Sequence, residues 1–150
     1  MENNTYRYAE KCLRRYPRNV ILTAVLSEKI AVLKSSSDIH VQDYGGRVNS
    51  SAGYADPVNS YVHRLLDLER RLSVIERSTL PITRLQEDLL SSSETMSRHY
   101  LRILQDFYFG GHTVSWMLGQ TRWSRSTFYS RRFSVVRLAA EYLGNVESKH

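Results

Sequence analysis

The residues of this sequence that are best suited to chemistry are arginines, and they concentrate in its last third. Between His112 and Ala140 there is no aspartate or glutamate. The same stretch contains five arginines: Arg122, Arg125, Arg131, Arg132 and Arg137. Duplex DNA carries about one negative charge per 1.7 Å of its axis, and arginine side chains neutralise phosphates. An acid-free basic segment therefore indicates binding to a polyanion.

The segment Thr113–Arg132 has the spacing of a helix-turn-helix. Its first helix is predicted from residues on one side, at i, i+3, i+4 and i+7: Val114, Met117, Leu118 and Thr121. Ser124 is placed to cap a second helix, and Trp123 and Phe128 are placed to close the core between the two helices. The N-terminus of the second helix, with its positive dipole end, would then point outward toward a phosphate.

The second helix has a predicted outward face. With Phe128 as the inward direction and about 100° per residue, four residues point away from the core. They are Ser126, Ser130, Phe133 and Arg137. Arg125 lies at the leading end, where a recognition helix contacts bases and where arginine can bind guanine bidentately. These positions are candidates for contact with the major groove.

The charge of the chain is unevenly distributed. The net charge is +6; residues 1–93 hold 13 basic and 11 acidic side chains, a balance of +2, whereas residues 94–150 hold 8 and 4, a balance of +4. The bias indicates nucleic acid, in preference to an anionic membrane surface, as the partner of the C-terminal part.

Cysteine usage and hydropathy favour a cytoplasmic protein. Cys12 is the single cysteine, so neither an intramolecular disulfide nor a multi-cysteine zinc site is possible. The first residues lack the pattern of a signal peptide, and no apolar run approaches the roughly 20 residues that span a bilayer. We therefore expect no membrane partner.

Apolar periodicity predicts an all-α chain in four parts. Residues 1–34 are predicted to form a helical pair, with one helix from Thr5 to about Arg15 and another starting at Pro17. Residues 35–56 are predicted to form a flexible loop, with a segment that orders on a partner as the alternative. One basic cluster is interpreted as a solvated face, with contact to DNA phosphates as the alternative: Arg14, Arg15 and Arg18.

The third part, residues 57–90, is predicted to be a long amphipathic helix opened by Asp56-Pro57. Its apolar seam recurs at spacings of three and four: Val58, Tyr61, Leu65, Leu68, Leu72 and Ile75. We expect this seam to pack against the N-terminal helices; a homodimer contact is the alternative, and the two are compatible. Pro81 is expected to end or kink the helix.

The fourth part, residues 91–150, would carry the helix-turn-helix. Ser91 to Glu94 has the spacing of a capping box and predicts a helix start there, with the stop at Gly110-Gly111. The final helix is expected from Arg125 to about Leu143, closed by Gly144.

Catalytic and metal-binding patterns are missing from the sequence. The five histidines share no i, i+4 pair and no carboxylate at ligand spacing, so we expect no metal. No serine lies in a Gly-x-Ser-x-Gly motif and there is no Walker loop. We expect a protein with no cofactor and no catalytic residues, and not an enzyme.

Several of these motifs resemble those of known families. The stretch Thr113–Arg132 is similar to region 4 of sigma-70-type factors, where an apolar helix precedes a recognition start such as Ser124-Arg-Ser-Thr127. Together with Tyr16-Pro17 and the Gly45-Gly46-Arg47 loop leading to Asp56-Pro57, the whole chain resembles the phage-encoded regulators of the RinA and ArpU families. The resemblance implies an activator of phage or prophage late genes. It would bind promoter DNA in the host cytoplasm, at the nucleoid, as a homodimer, with RNA polymerase as a possible further partner.

The resemblance also implies roles for individual residues. Three would face bases: Arg125, Ser126 and Ser130. Three would lie nearer phosphates: Arg122, Thr127 and Tyr129. Arg131 stands where the family has an aliphatic side chain, and Arg132 leans inward, so either their stems cover the core edge or the helix is rotated slightly. With Ser124 and Arg137, these residues form the predicted DNA-binding surface.

Two other functions fit the same pattern. A DNA-packaging adaptor of the small-terminase type also pairs a helix-turn-helix with an oligomerising helical part. A sigma-like protein could act mainly on RNA polymerase, with little free affinity for DNA. The mass of the assembly separates the first from a dimeric regulator, and co-purification with polymerase core reveals the second.

Overall fold

The computed structural model of the chain describes residues 2–44 and 57–147. These residues are helical apart from short connections and contain no strand, so the all-α prediction is confirmed. The elements are α1 (Asn3–Tyr44), α2 (Pro57–Ser91), α3 (Thr95–Arg102), a π-helical stretch (Ile103–Phe109), α4 (Val114–Thr121) and α5 (Arg125–Glu147).

The predicted N-terminal pair of helices is wrong, because α1 is one continuous helix with Pro17 inside it. A proline in a helix interior removes a hydrogen bond and costs about 3 kcal/mol. Packing beside the proline opposes that cost. Tyr16 stacks on Phe109 with ring centroids 4.5 Å apart, and its hydroxyl lies 2.8 Å from Oγ1 of Thr83. Leu13, one turn earlier, is fully buried.

The predicted loop 35–56 is also wrong in its first half, since residues 35–44 continue α1. The Ser35 and Ser36 hydroxyls donate to the carbonyls of Val32 and Leu33, at 3.2 and 3.1 Å. Bonds of this kind satisfy the serine hydroxyls within the helix, although they slightly destabilise it. The rest of the predicted loop, residues 45–56 with Gly45-Gly46-Arg47, lies outside the described residues.

The prediction of a long third helix is confirmed, but Pro81 does not end it. Pro81 lies inside α2 and is fully buried. The neighbouring Ile82 and Leu85 are also buried in the same core. Burial of these side chains in the core stabilises the helix at a proline that, from the sequence alone, predicts its end.

The chain divides into two compact units. Unit 2 comprises Val20–Glu76. Among the described residues of this unit, the buried core consists of Leu26, Ile30 and Leu68, and four half-buried residues pack on it: Leu33, Leu65, Leu72 and Ile75. Lys34 Nζ lies 3.7 Å from Glu69 Oε1. The expectation that the α2 seam packs against the N-terminal part is therefore confirmed.

Unit 1 comprises Met1–Asn19 and Arg77–His150 and contains the helix-turn-helix segment. α1, α2, the π-helical stretch, α4 and α5 all contribute fully buried side chains, among them Leu13, Ile82, Leu85, Ile103, Leu104, Met117, Phe128, Val135 and Val136. The Tyr142 hydroxyl of α5 donates to the Asp88 carboxylate of α2. This hydrogen bond, with burial, raises the pKa of Tyr142 to about 12.

The helix that precedes the helix-turn-helix differs from its prediction at its start but not at its end. α3 starts at Thr95, and Glu94 makes no side-chain cap; instead Ser92 Oγ accepts the Glu94 N–H at 3.3 Å. After α3 the helix widens into the π-helical stretch, and both Phe107 and Tyr108 are buried there. The predicted stop is confirmed by Gly111, whose φ of 71° is the left-handed conformation that glycine favours.

Candidate nucleic-acid interface

The first helix of the predicted helix-turn-helix, α4, forms as the sequence indicates. Thr113 caps it, with Oγ1 accepting the Trp116 N–H at 3.1 Å. Met117 is fully buried, and Thr121 closes the last turn by donating to the Met117 carbonyl at 2.7 Å. The apolar side of α4 therefore faces the core of unit 1.

The turn between the helices is made by Arg122. Its φ of 62° and ψ of 19° are left-handed, and its N–H donates to the Leu118 carbonyl at 3.0 Å. For a residue with a Cβ, this left-handed conformation is less favourable than for glycine by about 1 kcal/mol. No glycine marks the position in the sequence, so periodicity alone does not reveal the left-handed turn. Its side chain is exposed.

The second helix, α5, begins at the predicted cap. Ser124 Oγ accepts the Thr127 N–H at 3.2 Å and donates to Thr127 Oγ1 at 2.9 Å. Phe128 is fully buried, with its ring edge-on to Phe107 at 5.3 Å. Because the cap is exposed and the first turn is anchored by Phe128, the N-terminus of α5 is open to solvent.

The outward face of α5 is exposed as predicted. Arg125, Ser126, Ser130 and Arg137 are exposed, and Phe133 and Tyr129 are 48% and 46% exposed. Phe133 also stacks on Tyr6 of α1 at 5.7 Å. Within the described part of the chain, no carboxylate pairs with Arg122, Arg125 or Arg137. These guanidinium groups are therefore free of carboxylate partners and can bind an external anion.

Arg132 must be removed from the predicted DNA-binding surface. It forms an ion pair with Glu10 of α1, and its Nε donates to the Tyr108 hydroxyl at 3.2 Å. Its guanidinium carbon lies 5.3 Å from the centre of the Phe107 ring, and its side chain is only 20% exposed. The physical reason is its position on the inner edge of α5, where burial requires a counter-ion.

Glu10 is the centre of this cluster. Its carboxylate also accepts from Arg14 Nη2 at 3.2 Å and from the Tyr108 hydroxyl at 3.4 Å. Burial acts to raise the pKa of Glu10, but hydrogen bonds and charge from Arg132 and Arg14 hold it below its usual range. Burial raises the pKa of Tyr108, which stays a neutral donor. Glu10 therefore remains ionised at neutral pH and joins α1 to α5.

Arg131 is a second correction to the predicted surface. Its guanidinium carbon lies 4.6 Å from the centre of the Trp123 ring, and its Nη1 is buried without a hydrogen-bond partner among the described residues. Trp123 was predicted to lie between the two helices; its other neighbour is His99 of α3, edge-on at 5.3 Å. Burial and the charge of Arg131 lower the pKa of His99. Arg131 and Arg132 lie at the core edge, as the predicted alternative has it, but their guanidinium groups are held by Trp123 and by Glu10 and do not extend freely into solvent.

The Glu10 cluster was missed because its members are far apart in the sequence. Glu10 and Arg132 are separated by 122 positions, and no spacing rule joins two helices at that distance. The sequence offers one indication of the cluster, since a helical wheel places Arg132 toward the inner face of α5. That position predicts burial of the side chain but does not identify Glu10 as its ion-pair partner.

No group of three or more histidine, cysteine or acidic residues among the described residues is arranged to hold a metal ion. None of the described helices combines the length and the apolar character needed to cross a bilayer. Comparisons with family models, with curated proteins and with solved structures give no match to this chain.

Proposed function

We propose that this protein is a sequence-specific double-stranded DNA-binding transcription regulator, with α5 as the helix that enters the major groove. The observation that carries the proposal is the outward face of α5. It presents the exposed side chains of Arg125, Ser126 and Arg137, and no acidic residue occurs between Asp106 and Glu141. The positive potential of a helix face without acidic residues complements the negative potential of a DNA groove.

The residues divide by the contact that each can make. Arg125, in the first turn of α5, has the reach and the paired donors to bind a guanine edge bidentately. Ser126 and Ser130 lie on the same exposed face and can bond to base edges or phosphates. Arg122 and Thr127, at the turn and near the helix N-terminus, suit phosphates, and Tyr129 at the edge of the face also suits them.

A homodimer would supply the affinity that one short module lacks, since a single module makes few phosphate contacts. Unit 2 supports this part of the proposal, because it exposes large apolar side chains at Ile21, Val32 and Val74. We further propose, on the resemblance to phage regulators, that the target is late-gene promoter DNA and that RNA polymerase is contacted there.

The test is retention of fragmented genomic DNA by the purified protein, followed by footprinting at low and at physiological salt. The proposal requires a protected site and stronger binding to it than to random duplex.

Arg125→Ala should cost about 1–3 kcal/mol of specific binding and relax preference at one base position. Glu87→Ala, at an exposed position of α2, is the matched control. A folded protein with no protected fragment at low salt contradicts the proposal, and a large ring of subunits in a mass measurement would favour a packaging adaptor.

A further inference from the structure

A second basic surface lies on α1, in unit 1, the unit that also contains α5. Four basic residues occur at spacings of four, three and four, which places them on one face of a helix: Arg7, Lys11, Arg14 and Arg18. All four are exposed, and all fall within the part of α1 that belongs to unit 1. We call these four residues the α1 stripe.

The continuity of α1 through Pro17 is what aligns the stripe. A helix break at Pro17 would give Arg18 an independent direction. Because α1 runs unbroken from Asn3, Arg18 keeps the register of Arg7 and Lys11. From Arg7 to Arg18 the stripe is about 16 Å long at about 1.5 Å per residue. One strand of a duplex carries about five phosphates over that length.

The charge around the stripe is almost entirely positive. Glu10 is the only acidic residue between Asn3 and Ser27, and its carboxylate is occupied by Arg132 and Arg14. In the described residues no carboxylate pairs with Arg7, Lys11 or Arg18. An open depression of about 350 Å³ lies along the stripe, lined by Arg7, Glu10, Lys11, Arg14 and Arg15.

The opposite face of this part of α1 decides between possible anionic partners. Ala9, Cys12 and Leu13 are buried in the core of unit 1. A membrane-surface helix needs an apolar face that is free to enter the lipid, and here that face is already covered. A polyanion that binds through charge alone, such as the DNA backbone, needs only the exposed cations.

We propose that the α1 stripe is a second contact with the phosphate backbone, made by the same duplex that α5 reads. The inference rests on the proposed function. α5 supplies sequence discrimination, and the stripe supplies affinity that does not depend on sequence. Arg14 links the stripe to the helix α5, because its guanidinium bonds to Glu10, which also binds Arg132 on the inner edge of α5.

The test is the salt dependence of duplex binding, measured by fluorescence anisotropy on the protected fragment and on a random duplex of equal length. The variant is Arg7→Gln/Lys11→Gln/Arg18→Gln, which leaves the Arg14 contact with Glu10 in place. Each lost phosphate contact should reduce the slope of log K against log salt by about 0.9, so the slope should fall by about 2.7. Affinity should fall by the same factor, about tenfold or more, on both duplexes.

A charge-matched control is Arg64→Gln/Arg70→Gln/Arg77→Gln on α2, where all three side chains are exposed. It should keep the wild-type slope, and circular dichroism should show all variants folded. The proposal is overturned if the stripe variant keeps the wild-type slope, or if the α2 control loses as much. In either case, loss of base preference in Arg125→Ala still supports the proposed function. A wild-type protein that binds no duplex, or binds only anionic vesicles, overturns both.

Discussion

At the scale of single residues, two arginines that are adjacent in the sequence have different environments. Arg132 is bound to Glu10 and Tyr108, and Arg131 lies on the Trp123 ring. Arg125 and Arg137 are exposed on the same helix. The five arginines of the acid-free segment therefore do not all offer a free guanidinium group to an external anion. The difference depends on which side of α5 each residue occupies.

The Glu10 cluster gives the first prediction. Glu10→Gln should destabilise the protein by about 1–3 kcal/mol at pH 7, because it removes a charged partner from a half-buried arginine. The folded pKa of Glu10 lies below its ordinary value of 4.5. The contribution of Glu10 is therefore complete above pH 4.5 and is lost as the pH falls through the lower, folded value.

Urea unfolding of both proteins across pH 2 to 8 measures this contribution, with pH values chosen around the ordinary carboxyl range. The stability difference between wild type and Glu10→Gln should be constant at neutral pH and shrink in acid. Glu87→Gln, at an exposed position, should behave as wild type throughout. A difference that does not change with pH would mean that the carboxylate charge contributes nothing.

The left-handed Arg122 gives a prediction in which stability and binding move in opposite directions. Arg122→Gly removes the Cβ from a residue with φ of 62°, so it should stabilise the fold by about 1 kcal/mol and raise Tm by about 2–4 °C. Arg122→Ala keeps the backbone strain and should leave Tm nearly unchanged. Both variants lose the same guanidinium, so both should weaken binding to all duplexes and reduce the salt slope by about 1. Calorimetry and anisotropy provide the two readouts; unchanged affinity in both variants would remove Arg122 from the interface.

At the scale of elements, the sequence predicted helix ends well where a local cap sets them. Ser124 caps α5 and Gly111 follows the π-helical stretch, as the residue types indicate. Gly144 was expected to close α5, but the helix continues to Glu147. The predicted helix start at Pro17 is wrong, and α2 does not end at Pro81, because partners distant in the sequence hold each turn in a helix. A local rule has no information about those partners.

This explanation predicts different outcomes when each of the two prolines is replaced by alanine. Pro17→Ala restores an N–H that can bond to the Leu13 carbonyl, and Pro17 is only half-buried, so the variant should be more stable by about 1–2 kcal/mol. Pro81 is fully buried. Pro81→Ala also restores a backbone N–H, but it leaves a cavity whose cost offsets that gain in stability. Urea unfolding of the two variants makes the comparison. A loss of stability in Pro17→Ala would show that the proline itself is needed for the course of α1.

At the scale of the whole molecule, the sequence indicated the helical class and the acid-free C-terminal segment, but not the division of the chain. The predicted boundaries follow the order of the sequence, whereas unit 1 combines both ends of the chain. Neither α1 nor α2 belongs to one unit alone, since each continues from one unit into the other. The partners of Glu10 are brought to it by this arrangement, which no local pattern encodes.

The two units differ in the size of their cores, and this predicts how each responds to a cavity. Among its described residues, unit 2 has three buried apolar residues, including Leu68, whereas Met117 lies in the much larger core of unit 1. Leu68→Ala and Met117→Ala each remove a buried side chain and should cost about 2–5 kcal/mol where the rest of the core stays in place. In unit 2 the stability lost with the Leu68 side chain should be enough to unfold so small a core. Hydrogen exchange in Leu68→Ala should therefore become fast from residue 57 to 76 and stay slow in α4 and α5. Met117→Ala should leave both segments protected, because the larger core of unit 1 keeps enough buried contacts to stay folded. Equal loss of protection in both segments in either variant would mean that the units unfold together.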